Sequence, residues 1–138
     1  MTLSFFSILL CGVFSMILGF VWYGPLFGKK WMEIIGTSNQ SEEARKKMQK
    51  EAGPLYLVSF LLALFEAWVL AMFNEGVATY YAISNAFWIW LAFIVPALAG
   101  SVMWTNEKPV IKKSRFLIQT GYQLLLLVGF ALIISLLN

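Results

Sequence analysis

The sequence predicts an all-α membrane protein whose four transmembrane helices pack as an antiparallel bundle. Of its 138 residues, 60% are hydrophobic and only 12% are charged, which is about half the charged share of a typical soluble domain. Four apolar stretches reach the length of about 20 residues that a helix needs to cross a bilayer. All ten Lys and Arg residues lie in two of the segments between these stretches. We therefore expect a single membrane domain covering residues 1–138.

The predicted spans are residues 3–23, 55–73, 79–104 and 116–137. Four such stretches in so short a chain leave almost no polar face for water, which argues against soluble core helices. The first stretch is not preceded by a basic residue or followed by a small-residue cleavage site. We therefore expect it to be a retained span and not a signal peptide.

Lys and Arg predict the orientation. Six of them lie between the first two spans and four between the last two, whereas the connection at residues 74–78 has none. Because basic loops stay on the cytoplasmic side, both basic segments should be cytoplasmic and both termini should be outside.

The cytoplasmic segment, residues 24–53, should begin with a short helix lying in the membrane interface. Pro25 suits the first turn of a helix, apolar residues recur at helical spacing from Phe27 to Ile35, and Gly36 is a typical stop signal. Aromatic side chains favour headgroup depth. The expected interfacial anchor consists of Trp22, Tyr23, Pro25 and Trp31. A partner-binding or gating role for this helix is the alternative.

A charged helix should follow from Glu42 to Ala52, closed by Gly53 and Pro54. Its basic residues are interleaved with Glu and have no aromatic neighbours. A nucleic-acid site would need such aromatic platforms, so we expect no nucleic-acid partner.

Polar side chains within the spans are the candidate site. Glu66 lies eleven residues past Leu55, about 17 Å along the helix, and Asn85 should lie at the same depth in the third span. An acid in hydrocarbon is costly, so Glu66 should face the bundle interior and find a partner there. Pro96 should kink the third span. The ligand-binding or coupling candidates are Glu66, Asn85, Gln119, Tyr122 and Gln123, with interhelical hydrogen bonding as the alternative role.

Other chemistry is poorly represented in the sequence. One cysteine, Cys11, and no histidine exclude the usual zinc sites and histidine catalysis. No nucleophile and base pair or phosphate loop is present. We therefore expect no catalytic residue, no metal and no cofactor, and an enzyme is the weakest of the functional classes.

Several sequence blocks together carry a family resemblance. They are Trp22-Tyr23-Gly24-Pro25-Leu26-Phe27-Gly28-Lys29, Trp31-Met32, Gly36-Thr37, Trp88-Ile89-Trp90-Leu91-Ala92-Phe93, Glu107-Lys108-Pro109 and Gly121-Tyr122-Gln123. Through them nearly the whole chain resembles the small bacterial membrane proteins catalogued as domain of unknown function 1761. The resemblance implies a four-span protein of the bacterial cytoplasmic membrane and brings no assigned chemistry. Ala92 stands where that family usually has Gly, and Glu66 lies outside its pattern.

Two functional hypotheses follow from these residues. The first is a non-enzymatic membrane protein that binds a small lipid-like or amphipathic ligand in the polar interior, or that acts through partner contacts. The second is a small proton-coupled exporter in which Glu66 exchanges a proton for a cationic compound. Membrane lipids are the expected partners, and the sequence leaves a homo-oligomer open.

Overall fold

The computed structural model describes residues 4–37 and 39–137. It is 86% helical, and these described ranges contain no strand. Four helices are long and apolar enough to cross a membrane: Phe5–Leu26, Glu42–Phe73, Thr79–Met103 and Pro109–Leu137. The all-α class and the four long apolar helices are confirmed.

One of these helices ends in a π-helical turn and another is interrupted by one, so the described chain divides into eight helical elements. In chain order they are α1 (Phe5–Val21), the first π turn (Trp22–Leu26), α2 (Gly28–Ile34), α3 (Glu42–Phe73), α4 (Thr79–Ile89), the second π turn (Trp90–Ile94), α5 (Val95–Met103) and α6 (Pro109–Leu137). We call the end of the structure that carries the α1–α3 connection and the α5–α6 connection the basic end, because all Lys and Arg residues lie in and around these two connections.

The start of the interfacial helix differs from the prediction. Pro25 lies inside the first π turn, which prolongs α1, and the new helix begins only at Gly28. Proline lacks an N–H and its ring clashes with the carbonyl four residues earlier, and the wider π turn accommodates it. The backbone N–H of Phe27 closes this turn on the carbonyl of Trp22 at 3.0 Å. As predicted, the helix stops before Gly36, whose φ of +76° favours glycine.

Gly53 and Pro54 do not end a helix, contrary to the prediction. The charged helix and the second span are one continuous helix, α3. Pro54 removes a single backbone hydrogen bond, the one to Lys50. Lys50 is exposed, so water can satisfy its carbonyl. At the start of α3, Ser41 accepts a hydrogen bond from the N–H of Ala44 at 3.2 Å, as an N-cap does.

Pro96 disturbs the third span, and the disturbance takes the form of the second π turn. Pro96 itself lies in the first turn of α5, where a proline is tolerated. The fourth helix begins earlier than expected, at Pro109 instead of residue 116. The basic connection between α5 and α6 is therefore a short one.

α6 is the central helix of the structure. It packs against α1, α4 and α5 and more sparsely against α3, which packs chiefly on α1. The core contains Cys11, Ala67, Ala82, Ala86 and Phe130, all of them fully buried. Small residues let the helices approach closely: a Cβ at Gly12 of α1 would lie 2.7 Å from Leu64 of α3.

Two tryptophan side chains attach the ends of α1 and α4 to α6. The indole N–H of Trp22 donates to the carbonyl of Ile118 at 2.9 Å, and that of Trp90 donates to the carbonyl of Thr120 at 2.8 Å. Each tryptophan is the first residue of a π turn. A Cβ on Gly121 would lie 3.0 Å from the Trp22 ring, so glycine allows the indole to lie against α6.

We predict that Trp22→Phe and Trp90→Phe each lower the free energy of unfolding by about 0.6 to 1.7 kcal/mol, the usual worth of an interhelical hydrogen bond in a membrane protein. Both variants keep an aromatic ring and lose the indole N–H. Denaturation of the purified protein in mixed micelles measures the effect. Trp88→Phe is the control, because Trp88 is 60% exposed and should be near neutral. Equal losses for all three variants would contradict a specific role for the two hydrogen bonds.

Candidate functional site

A cavity with a volume of about 730 Å³ lies between α1, α3 and α6 near the basic end and reaches the first π turn. The walls combine apolar side chains with five polar ones: Ser15, Tyr23, Tyr56, Ser59 and Tyr122. The cavity is therefore amphipathic and open at one side.

A second cavity of about 240 Å³ adjoins the first along the helices. The two share Ser15, Met16, Ser59 and Tyr122, and the second adds Glu66 and Gln123. We call the two together the polar cleft. It leads from the first π turn at the basic end to Glu66.

One wall of the polar cleft is held together by contacts between α1 and α6. The Tyr122 hydroxyl donates to the carbonyl of Ser15 at 3.3 Å, and the Ser15 hydroxyl donates to the carbonyl of Gly12 at 2.6 Å. The rings of Tyr23 and Tyr122 lie 5.4 Å apart between centroids. These contacts fix the position of Tyr122 in the cleft.

α3 forms the opposite wall. Its polar residues Tyr56, Ser59 and Glu66 are three and seven residues apart, so they share one face of the helix. Tyr56 and Ser59 were not among the candidates predicted from the sequence, although their spacing from Glu66 places all three on one face of a helix.

A third cavity, of about 310 Å³, lies on the other side of Glu66. Apart from the Glu66 side chain its lining is apolar, and it includes Val69, Phe73, Ile89 and Ile94. We call it the apolar groove. Glu66 thus borders both the polar cleft and the apolar groove.

Glu66 was expected to find a hydrogen-bonding partner, and the structure differs. Tyr122 and Gln123 line the same cavity, yet within the described ranges the Glu66 carboxyl forms no hydrogen bond and no ion pair. The reason is geometric. α3 packs mainly on α1 and only sparsely on α6, which leaves a space between α3 and α6 where a hydrogen-bonding partner would lie. The carboxyl therefore faces open space.

Asn85 was expected to belong to the candidate site with Glu66, and the structure directs it elsewhere. Asn85 is exposed, and its amide donates to the side-chain oxygen of Asn74 at 2.9 Å. α4 packs through Ala82 and Ala86, which turns Asn85 toward the α3–α4 connection. Asn85 lines neither the polar cleft nor the apolar groove.

Gln119 and Gln123 do not line the same cavity. Gln123 lines the polar cleft. Gln119 is half-buried, and its side-chain oxygen is buried without a hydrogen-bond partner in the described part of the chain. Of the five candidate residues, the structure thus brings together Glu66, Tyr122 and Gln123.

Three of the predicted anchor residues make aromatic contacts. Tyr23 packs on Trp31 with centroids 4.9 Å apart, and Trp22 packs on Phe27 at 4.8 Å. Pro25 is exposed within its π turn. Of the four anchor residues, Tyr23 lines the polar cleft.

Other chemical groups are few. The described residues contain no group of three or more His, Cys, Asp or Glu side chains that could hold a metal ion. At the basic end, Glu107 is paired with Arg115 at 2.7 Å, which gives this loop acid a structural partner.

Three of the sequence blocks that carry the family resemblance lie against α6 or within it. Trp22 and Trp90 both donate to α6, and Tyr23 lies against Tyr122. No curated protein and no solved structure matches the chain. The model of one family, described as "Protein of unknown function (DUF1761)", matches residues 6–135. Since this match covers nearly the whole sequence, the chain belongs to the DUF1761 family.

Proposed function

We propose that this protein is a non-enzymatic integral membrane protein that binds a small lipid-like or amphipathic ligand in the polar cleft. The observation that carries the proposal is the Glu66 carboxyl, which borders a cavity without a hydrogen-bonding partner from the described chain. An unpaired acid among apolar helices is costly. A bound molecule that pairs with the carboxyl would offset this cost.

The dimensions and lining of the cleft support this proposal. Ligand sites are typically cavities of about 300 to 1,000 Å³ with mostly apolar walls and a few placed polar groups. The larger cavity of the cleft, at about 730 Å³, is within this range. The apolar walls of the polar cleft suit the hydrocarbon portion of a ligand, and Ser59, Tyr122 and Glu66 suit its polar head.

The positions of Lys and Arg support an orientation with the basic end in the cytoplasm and both termini outside. In that orientation the polar cleft opens toward the cytoplasmic surface of the membrane, beside the aromatic anchor. The exposed apolar side chains on the outer faces of the helices would contact lipid. A ligand could then enter the cleft from the cytoplasmic leaflet.

Native mass spectrometry of the full-length protein, purified in mild detergent, tests ligand binding. We predict that the wild type retains a small molecule of defined mass and that Glu66→Gln loses it, because an amide cannot replace the charge of a carboxylate. Glu51→Gln is the matched control: Glu51 is an exposed acid on the same helix, α3, and its variant should retain the molecule.

A second pair of variants blocks the cleft without touching Glu66. Ser59 lines both cavities of the cleft, so Ser59→Trp should fill their junction and expel the ligand. Ser101→Trp places the same bulk on the exposed face of α5 and should have no effect. A wild-type protein without any adduct, or an adduct indifferent to Ser59→Trp, would contradict binding in the cleft and would favour a role in partner contacts at the basic end.

A second candidate function is proton-coupled export of cationic compounds. It is favoured by one observation: Glu66 borders the polar cleft and also the apolar groove, which runs toward the opposite end of the helices. Exchange of a proton for a cation requires a carboxyl that can be reached from each side of the membrane in turn.

Growth assays discriminate export from binding alone. Export predicts that expression of the wild type protects cells against cationic dyes and that Glu66→Gln abolishes the protection at equal protein levels. Glu51→Gln should protect like the wild type. If neither wild type nor variant changes dye resistance, the protein does not export these compounds.

Single-cysteine labelling in a Cys11→Ser background tests the orientation. Ala78 and Asn106 are exposed residues at opposite ends of the helices. We predict that Ala78→Cys reacts with a membrane-impermeant maleimide in intact cells and that Asn106→Cys reacts only after permeabilisation. The reverse pattern would overturn the orientation.

A further inference from the structure

Among the described residues, the side chains that line the cleft bring a negative charge and no positive one. Within the described chain, the residues that line the polar cleft and the apolar groove include the acid Glu66 and no Lys or Arg. The basic residues all lie in and beside the two basic connections. A molecule that reaches the deep end of the polar cleft therefore meets a carboxyl and no Lys or Arg among the lining residues.

The mouth of the cleft is lined by three tyrosine rings. Tyr23 and Tyr122 lie on the α1 and α6 side, with centroids 5.4 Å apart and ring planes inclined by 56°. Tyr56 lines the same cavity from α3. Aromatic faces attract cations through the ring quadrupole, most strongly where water is excluded.

We propose that the polar cleft is selective for organic cations with a large apolar part. This inference rests on the proposed function and specifies the ligand's charge. The rings of Tyr23, Tyr56 and Tyr122 receive the cation at the mouth, and the Glu66 carboxyl pairs with it at the deep end. The apolar groove beyond Glu66 takes hydrocarbon.

The same features disfavour the other headgroups that a membrane offers. A phosphate or carboxylate head would be repelled by Glu66 at short range in a medium of low dielectric and would find no Lys or Arg in the lining. A neutral head can hydrogen-bond to the carboxyl but does not balance the charge of a carboxylate. A cation is attracted both by the aromatic rings at the mouth and by the carboxylate at the deep end.

Two ions of nearly identical shape test the charge of the ligand. Tetraphenylphosphonium and tetraphenylborate differ in sign and match in size and apolar surface. Their binding to the full-length protein in detergent is measured by equilibrium dialysis, and binding that persists in Ser59→Trp is subtracted as adsorption outside the cleft. We expect the phosphonium to bind about ten-fold or more tightly than the borate.

Variants assign the selectivity to residues. Glu66→Gln should weaken phosphonium binding about ten-fold or more, and Glu51→Gln should leave it unchanged. Tyr56→Leu should weaken it about three-fold or more, whereas Tyr56→Phe, which keeps the ring, should bind like the wild type. Tyr81→Leu is the tyrosine control, since Tyr81 is as exposed as Tyr56 but lines neither the polar cleft nor the apolar groove.

The outcomes separate this inference from the proposed function. Equal binding of the two ions, no binding of either ion, or a phosphonium affinity that Glu66→Gln leaves intact would overturn the selectivity for cations. An adduct that Ser59→Trp still expels would in those cases uphold binding in the cleft. The full predicted pattern would establish the polar cleft as a cation site.

Discussion

Two hydrogen bonds attach tryptophan side chains to the backbone of α6 and set the positions of α1 and α4 against it. Trp22 comes from the end of α1 and Trp90 from the end of α4, and their indole groups reach carbonyls only two residues apart, at Ile118 and Thr120. Each tryptophan begins a π turn. A π turn is wider than an α turn and displaces the residues around it. In both cases it lies where the indole reaches α6.

This attachment places the site. With α1 held against α6, Tyr122 donates to the carbonyl of Ser15 and its ring lies beside Tyr23. α3 is held by α1 through close approach at Gly12 and meets α6 only sparsely. The space between α3 and α6 is the polar cleft, and the Glu66 carboxyl, left without a partner in the described chain, lies at its end. The function we propose follows from this incomplete contact between α3 and α6.

The sequence predicted the helices well and the directions of their side chains less well. Apolar runs and the length of a bilayer span define four helices without any knowledge of packing. The local sequence did not predict that α3 continues through Pro54. The proline removes one hydrogen bond, and this loss costs little in a long helix because the Lys50 carbonyl can bind water. Asn85 shares the expected depth of Glu66, but the Ala82 and Ala86 face of α4 decides its direction. That face is a property of tertiary packing.

The candidate site was predicted in part. Glu66, Tyr122 and Gln123 were chosen because polar groups in hydrocarbon need partners, and they do meet in one cavity. Tyr56 and Ser59 were overlooked because each is unremarkable alone. Tyr56 and Ser59 become informative only together with Glu66, because all three lie on one face of α3. The sequence indicated only part of the role of Trp22. An aromatic residue near a membrane surface predicts an anchor, but it does not predict a hydrogen bond to a distant helix.

The most direct test of this account is whether water reaches residue 66 through the cleft. In a Cys11→Ser background, Glu66→Cys and Leu61→Cys place thiols on α3, and their reaction rates with a small water-soluble methanethiosulfonate are measured in lipid bilayers. Leu61 is exposed and lines neither the polar cleft nor the apolar groove. Thiols react as thiolates, which need water. We expect that Glu66→Cys reacts, that adding Ser59→Trp suppresses the reaction, and that Leu61→Cys stays inert. A Glu66→Cys protein as inert as Leu61→Cys would contradict an open polar cleft.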